Sequence, residues 1–160
     1  MAKIGIISDT HDNCDALKEV VEIFRKEGVE FIIHAGDIIA PFTAKILEES
    51  GIDYRGVFGN NDGEREFMKK VTNNKISTNL LELEIFGKRF FVIHNLAEVE
   101  GIQYANYYDY VIHGHTHIPE EKRIGKTTVI NPGELGGWLY GRKTFVILDT
   151  ETNLVELREL

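Results

Sequence analysis

The chain has only six histidines in 160 residues, yet His113, His115 and His117 fall within five positions, directly after the apolar run Tyr110-Val111-Ile112. The same conjunction recurs along the chain. The run Lys3–Ile7 leads into Ser8, Asp9, Thr10 and His11; Glu30–Ile33 into His34, Gly36 and Asp37; Arg55–Phe58 into Gly59, Asn60, Asn61 and Asp62; and Phe90–Ile93 into His94. Imidazoles, carboxylates and carboxamides, beside a lone cysteine at Cys14, suit borderline-to-hard divalent cations such as Mn2+, Fe2+, Zn2+ or Ni2+. They exceed the needs of one ion. Two ions sharing one carboxylate would use them, and a two-metal centre serves in-line displacement at phosphorus. On an extended segment His115 and His117 would share a face, with Gly114 letting the backbone approach the ions.

Residues so far apart in sequence meet only if the fold brings their strand ends together. The first half alternates apolar β-like runs with amphipathic helical ones over Cys14–Lys26 and Phe42–Glu49, which predicts a parallel sheet with right-handed crossovers. In such a sheet the carboxyl ends of neighbouring strands form the ligand-binding crevice. Leu17, Val20, Val21 and Phe24 recur at helical spacing, Gly28 closes that helix, and Pro41 suits the first position of the next. After about residue 75 the runs shorten. Gly87 and Gly125 mark hairpin turns, and the last two runs form a terminal hairpin across residues 149–153. This predicts a second, more antiparallel sheet, and one domain over residues 1–160 built as a sandwich of sheets with helices outside.

The composition, 42% apolar and 28% charged, is that of a soluble globular protein, and no apolar run is long enough to span a bilayer. The N-terminal residues lack the apolar segment of a secretory signal, so a cytoplasmic protein is expected. A formal charge of −8 repels polyanions. Extended nucleic acid and membranes are therefore poor partners; a homo-oligomer is compatible with the composition.

The segments Ser8–His11, Gly36–Asp37, Gly59–Asp62, the lone His94 and Gly114–His117, in this order, resemble the calcineurin-like metallophosphoesterases. The short length and the Asn131–Glu134 segment resemble the small prokaryotic phosphodiesterases of that superfamily. The resemblance implies a four-layer α/β/β/α sandwich with two mixed sheets flanked by helices. It further implies a phosphohydrolase acting on a small phosphate ester with two divalent ions, Mn2+ first and Ni2+, Zn2+ or Fe2+ as alternatives. One ion would be held by Asp9, His11 and His117, the other by Asn60, His94 and His115, with Asp37 bridging. A hydroxide between the ions would be the nucleophile. Asp37, Asn60 and Asn61 are the candidate catalytic residues.

The sequence departs from the family pattern in two places. Asn61 stands where the commoner motif has a histidine that protonates the leaving group; a carboxamide is no acid at neutral pH, which favours diesters with stable leaving groups. Asn95 replaces a frequent glycine after His94, from which a slight shift in geometry is expected. The same fold resembles a retromer subunit with a degraded metal centre, so a protein-binding scaffold is the alternative. The full set of seven ligands argues for the enzyme.

Other residues carry simpler expectations. His34 and His113 read as buried histidines with backbone partners, Cys14 as an inert helix residue, and Asp149 as part of a hairpin turn. Asp62 reads equally as a helix cap or as a group orienting Asn60. In the segment 133–142, Trp138 and Tyr140 are candidates to wall the substrate pocket, with Arg142 contacting phosphate or a partner; a glycine-rich surface loop is the even alternative.

Overall fold

In the strand Lys3–Ile7 (β1) alternate side chains serve two layers, as the pleat requires. Ile4 and Ile6 enter one apolar cluster, and Ile7 enters another on the opposite face. The computed structural model describes residues 2–99 and 104–160. β1 lies within a six-stranded sheet, parallel to Phe31–His34 (β2), which is followed by parallel Asp53–Val57 (β3) and the two-residue Ile76–Ser77 (β4). The intervening helices are Cys14–Glu27 (α1), Pro41–Glu48 (α2) and Arg65–Val71 (α3). Their apolar residues, among them Leu17, Phe24, Leu47 and Met68, pack on the outer face of this sheet. Asn13 caps α1 by accepting from the Ala16 amide, Gly28 closes it at φ 74°, and Pro41 opens α2.

The second sheet has five strands in the order β5-β6-β7-β9-β8: Leu80–Ile85 (β5), Lys88–Ile93 (β6), Tyr110–Ile112 (β7), Glu120–Ile124 (β8) and Thr127–Asn131 (β9). β6, β7 and β9 are parallel, with an antiparallel partner at each edge. Both expected hairpin turns are present, Gly87 and Gly125 each adopting positive φ. β8 carries Glu120, Glu121, Lys122 and Arg123 at the sheet edge, where charge discourages further pairing. The same charge hides it from a search for apolar runs. The inner faces of the two sheets meet through Ile4, Ile6, Ile33 and Val57 on one side and Phe90, Val92, Ile112 and Ile130 on the other.

The terminal hairpin, Thr144–Asp149 (β10) and Leu154–Glu159 (β11), forms as expected but belongs to the first sheet, where β10 pairs antiparallel with β1. Asp149 accepts the Glu151 and Thr152 amides in its turn. The result is the expected α/β sandwich of two mixed sheets. Among the described residues, the outer face of the second sheet is covered by the 3-10 turn Leu96–Glu98 and by Val99, Tyr104 and Tyr108.

Gly5 marks the tightest approach of α1 to the sheet, since a Cβ there would lie 2.4 Å from the Phe24 ring. Overpacking of this kind costs about 1–3 kcal/mol. Gly5→Ala is therefore expected to lower stability by that amount in urea unfolding, and an unchanged midpoint would contradict the packing described.

Candidate metal centre

The loops after β1, β2, β3, β6 and β7 converge at one end of the sandwich. There, ligand atoms of Asp9, His11, Asp37 and His117 all lie within 4.8 Å of one another. His11 Nε2 is 3.2 Å from Asp37 Oδ2, and His117 Nε2 is 3.3 Å from Asp9 Oδ1. On the other side of Asp37, His94 Nε2 stands 3.3 Å from its Oδ2 and 3.0 Å from Asn60 Oδ1, which His115 Nδ1 also approaches at 3.1 Å. All seven expected ligands thus come together, in two groups that meet at Asp37.

The backbone turns sharply to achieve this. Asp9, His11, Asp37, His115 and His117 all have φ between 44° and 69°, a region that Asp and His enter more readily than most residues. One expectation needs correcting: His115 and His117 do not lie on an extended segment with a common face. Left-handed backbone at both sends His115 toward Asn60 and His94, and His117 toward Asp9. Close approach is secured by glycine, since a Cβ on Gly59 would lie 2.1 Å from Asp37 Oδ1 and one on Gly114 2.6 Å from Asp9 Oδ2.

A surrounding ring of hydrogen bonds fixes each ligand. The Ala35 carbonyl, 2.7 Å from His94 Nδ1, can only accept, which puts the proton on Nδ1 and leaves Nε2 free to ligate. Buried Glu134 does the same for His117 from 3.1 Å. Asp9 Oδ2 accepts from Ser8 Oγ and from the His115 amide, leaving Oδ1 free. Asp62 is neither a cap of α3 nor a partner of Asn60. Its carboxylate accepts the amides of Asp37, Ile39 and Gly59, tying two ligand loops together. Asn61 donates its amide and its carboxamide N–H to the two oxygens of Asp37.

Asp9 and Asp37 are both essentially buried. Burial raises the cost of ionising Asp37, but the close imidazoles of His11 and His94 outweigh it and hold its carboxyl well below the usual range. The nearby carboxylates of Asp37, at 3.2 Å, and Asp9, at 3.7 Å, push the His11 imidazole up to about 10. For His94 burial opposes the charge, and contact with Asp37 overcomes it to raise the pKa. Asp9 Oδ1 and His11 Nε2 are buried without a hydrogen-bond partner. Two orphaned donor atoms of ligand type beside two buried carboxylates are what a divalent ion would satisfy, and the donor set of N and O atoms suits one.

Residues 2–153 match the calcineurin-like phosphoesterase superfamily domain. The chain belongs to that superfamily. Phosphodiesterase MJ0936 of Methanocaldococcus jannaschii is 39% identical over 164 aligned residues, covering 99% of this chain and 98% of the relative. A solved archaeal phosphodiesterase superposes with a TM-score of 0.89 at 38% identity, covering 99% of each chain. Vps29 of Entamoeba histolytica, solved with zinc, shares the fold at a TM-score of 0.72 and 16% identity, over 99% of this chain and 98% of its own.

Several side chains of this phosphoesterase sit apart from the ligand groups. His34 is fully buried, bonded to Thr10 Oγ1 and to the Gly36 amide, and burial pushes its pKa down to about 3. His113 is buried as expected, with a backbone contact at Gly114 and a side-chain contact with Glu120. Cys14 Sγ lies against Thr43. Asn95 adopts ordinary extended backbone and caps the following 3-10 turn, so no glycine is needed there. Arg142 pairs with Glu159, while Trp138 and Tyr140 are exposed and Trp138 Nε1 donates to the His11 carbonyl. Sequence reasoning missed Asn131, which holds the Gly114 carbonyl and Thr116 hydroxyl; it ends an apolar run as the other site residues do. Glu134 is buried and faces inward to His117.

A metal must displace the proton from His11, whose pKa is raised from 6.5 to about 10 in the metal-free protein. The protonated form dominates below that upper value, so apparent metal affinity should rise with pH up to about 10, with about one proton released from His11 per protein. Calorimetry in buffers of different ionisation enthalpy measures this, and uptake without proton release in the neutral range would contradict it.

Proposed function

We propose that this phosphoesterase is a cytoplasmic phosphodiesterase that uses two divalent ions, Mn2+ first and Ni2+, Zn2+ or Fe2+ as alternatives. Asp9, His11 and His117 hold one ion, Asn60, His94 and His115 the other, and Asp37 both. When bound, such ions supply Lewis acidity at the phosphoryl oxygens and make a nucleophile available at neutral pH. The protein's residues orient and hold: Asn61 and Asp62 fix Asp37, Ala35 and Glu134 set the tautomers of His94 and His117, and Ser8 aims Asp9.

The observation that carries the preference for diesters is the placement of Asn61. Its carboxamide donates to Asp37 Oδ2 at 3.0 Å and has no proton to give a leaving group. Monoesters bring an additional negative charge and usually a poor alkoxide leaving group, both harder to handle without an acid. The name of the Methanocaldococcus relative supports the same reading. A cleft of about 150 Å3 opens onto Asn60, His94 and His115, with Arg65, Thr78 and Asn79 also lining it. Its size suits a small ester substituent better than a polymer. The scaffold reading is weaker, because a scaffold has no chemical need for two complete ligand groups.

Assays with Mn2+ are expected to favour an aryl diester over the corresponding monoester by about tenfold or more, given that general acid catalysis is worth about 10²–10⁴. Asn61→His should raise monoester turnover relative to diester turnover. Equal turnover of both ester classes by the native protein, or no change of the ratio in the variant, would remove the argument from position 61.

A further inference from the structure

The segment from Leu135 to Tyr140 ends in three exposed apolar residues, Trp138, Leu139 and Tyr140, at 67%, 62% and 56% exposure. Among the described residues, no buried apolar cluster includes this tip. Hydrogen bonds hold it, and they run to the loops of the candidate ligands. The Leu135 and Gly136 amides donate to the Ser8 and Asp9 carbonyls at 2.9 and 3.0 Å. Asn13 Nδ2 donates to the Gly136 carbonyl at 2.9 Å, and Trp138 Nε1 to the His11 carbonyl at 3.1 Å. The Leu139 and Tyr140 amides hang on one side chain. Glu134, only 1% exposed, accepts the Leu139 amide at 3.0 Å and the Tyr140 amide at 2.6 Å, and its Oε1 also takes His117 Nδ1 at 3.1 Å. One carboxylate therefore satisfies three converging N–H groups, two from the loop and one from a candidate ligand.

We propose that Glu134 is a positioning residue that ties occupancy of the Asp9–His11–His117 metal position to the placement of the Leu135–Tyr140 loop. The loop is anchored at one end to the segment bearing Asp9 and His11 and at the other to His117, so an ion binding these three side chains stiffens both anchors at once. Trp138, seated on the His11 carbonyl, is the exposed end of this linkage. An amide in place of Glu134 has a single acceptor oxygen for three donors, so it cannot satisfy His117 and both loop amides together. The proposal rests on His117 holding an ion, as in the function proposed above.

The test uses the whole chain, metal-stripped and titrated with Mn2+, and reads calorimetry, emission of Trp138, the sole tryptophan, and amide hydrogen exchange. In the native protein the emission of Trp138 should follow the binding of one ion, and the Leu139 and Tyr140 amides should exchange about tenfold or more slowly once it is bound. Glu134→Gln should weaken one ion by about 10–100-fold, leave the other within a few-fold, and uncouple Trp138 from the titration. Native exchange and emission indifferent to Mn2+ would overturn the proposal whether or not the variant folds. So would a variant that binds both ions like the native protein, or one that loses both equally, as a merely structural role would produce. Absence of any metal uptake by the native protein would overturn the function proposed above as well; normal uptake with an indifferent loop overturns this proposal alone.

Discussion

Two buried carboxylates placed side by side impose the main constraint on this molecule. Asp9 and Asp37 come from different loops, yet each offers an oxygen within 4.8 Å of the other's. Among the described residues, their only ionic partners are His11, His94 and His117. Two like charges removed from water repel strongly unless cations neutralise them. In the metal-free protein protonated imidazole supplies part of that charge, which is why His11 is driven so far from its ordinary pKa. Divalent ions supply it more fully, and they do so within a chain whose formal charge is −8. Attraction of an anionic ester then arises at the centre itself and needs no basic surface.

Holding this arrangement has costs that the rest of the fold offsets. Five of the seven candidate ligands occupy left-handed backbone, a conformation that costs about 1–3 kcal/mol where it is strained. It persists because neighbouring groups determine it. Asp62 gathers three amides from the loops after β2 and β3, Glu134 gathers two more and a histidine, and Gly59 and Gly114 leave room that no side chain could share. The two sheets contribute rigidity, since the ligand loops leave strands whose inner faces are packed together through Ile6, Ile33, Val92 and Ile112.

Much of this was legible in the sequence, because period and position encode it. Buried strands read as apolar runs, α1 as an amphipathic repeat ending at Gly28, and the site as ligand-type residues following the runs. What escaped did so for physical reasons. β8 is a charged edge strand with no apolar signature, and the terminal hairpin gives no local sign of which sheet it will join. The conformation of His115 and His117 is set by contacts with Asn60, Asp9 and Glu134, not by local spacing, so an extended reading was the natural error. Asp62 escaped because a carboxylate that collects backbone amides looks the same in sequence as one that caps a helix. Asn131 ends an apolar run and was within reach of the same reasoning that found His94.

Anomalous scattering from a crystal soaked in Mn2+ tests the central claim most directly. The expected result is two peaks about 3.5–4 Å apart, with Asp37 between them, Asp9 Oδ1 and His11 Nε2 on one and Asn60, His94 and His115 around the other. A single peak, or none with Asp9 and Asp37 satisfied by solvent alone, would contradict it.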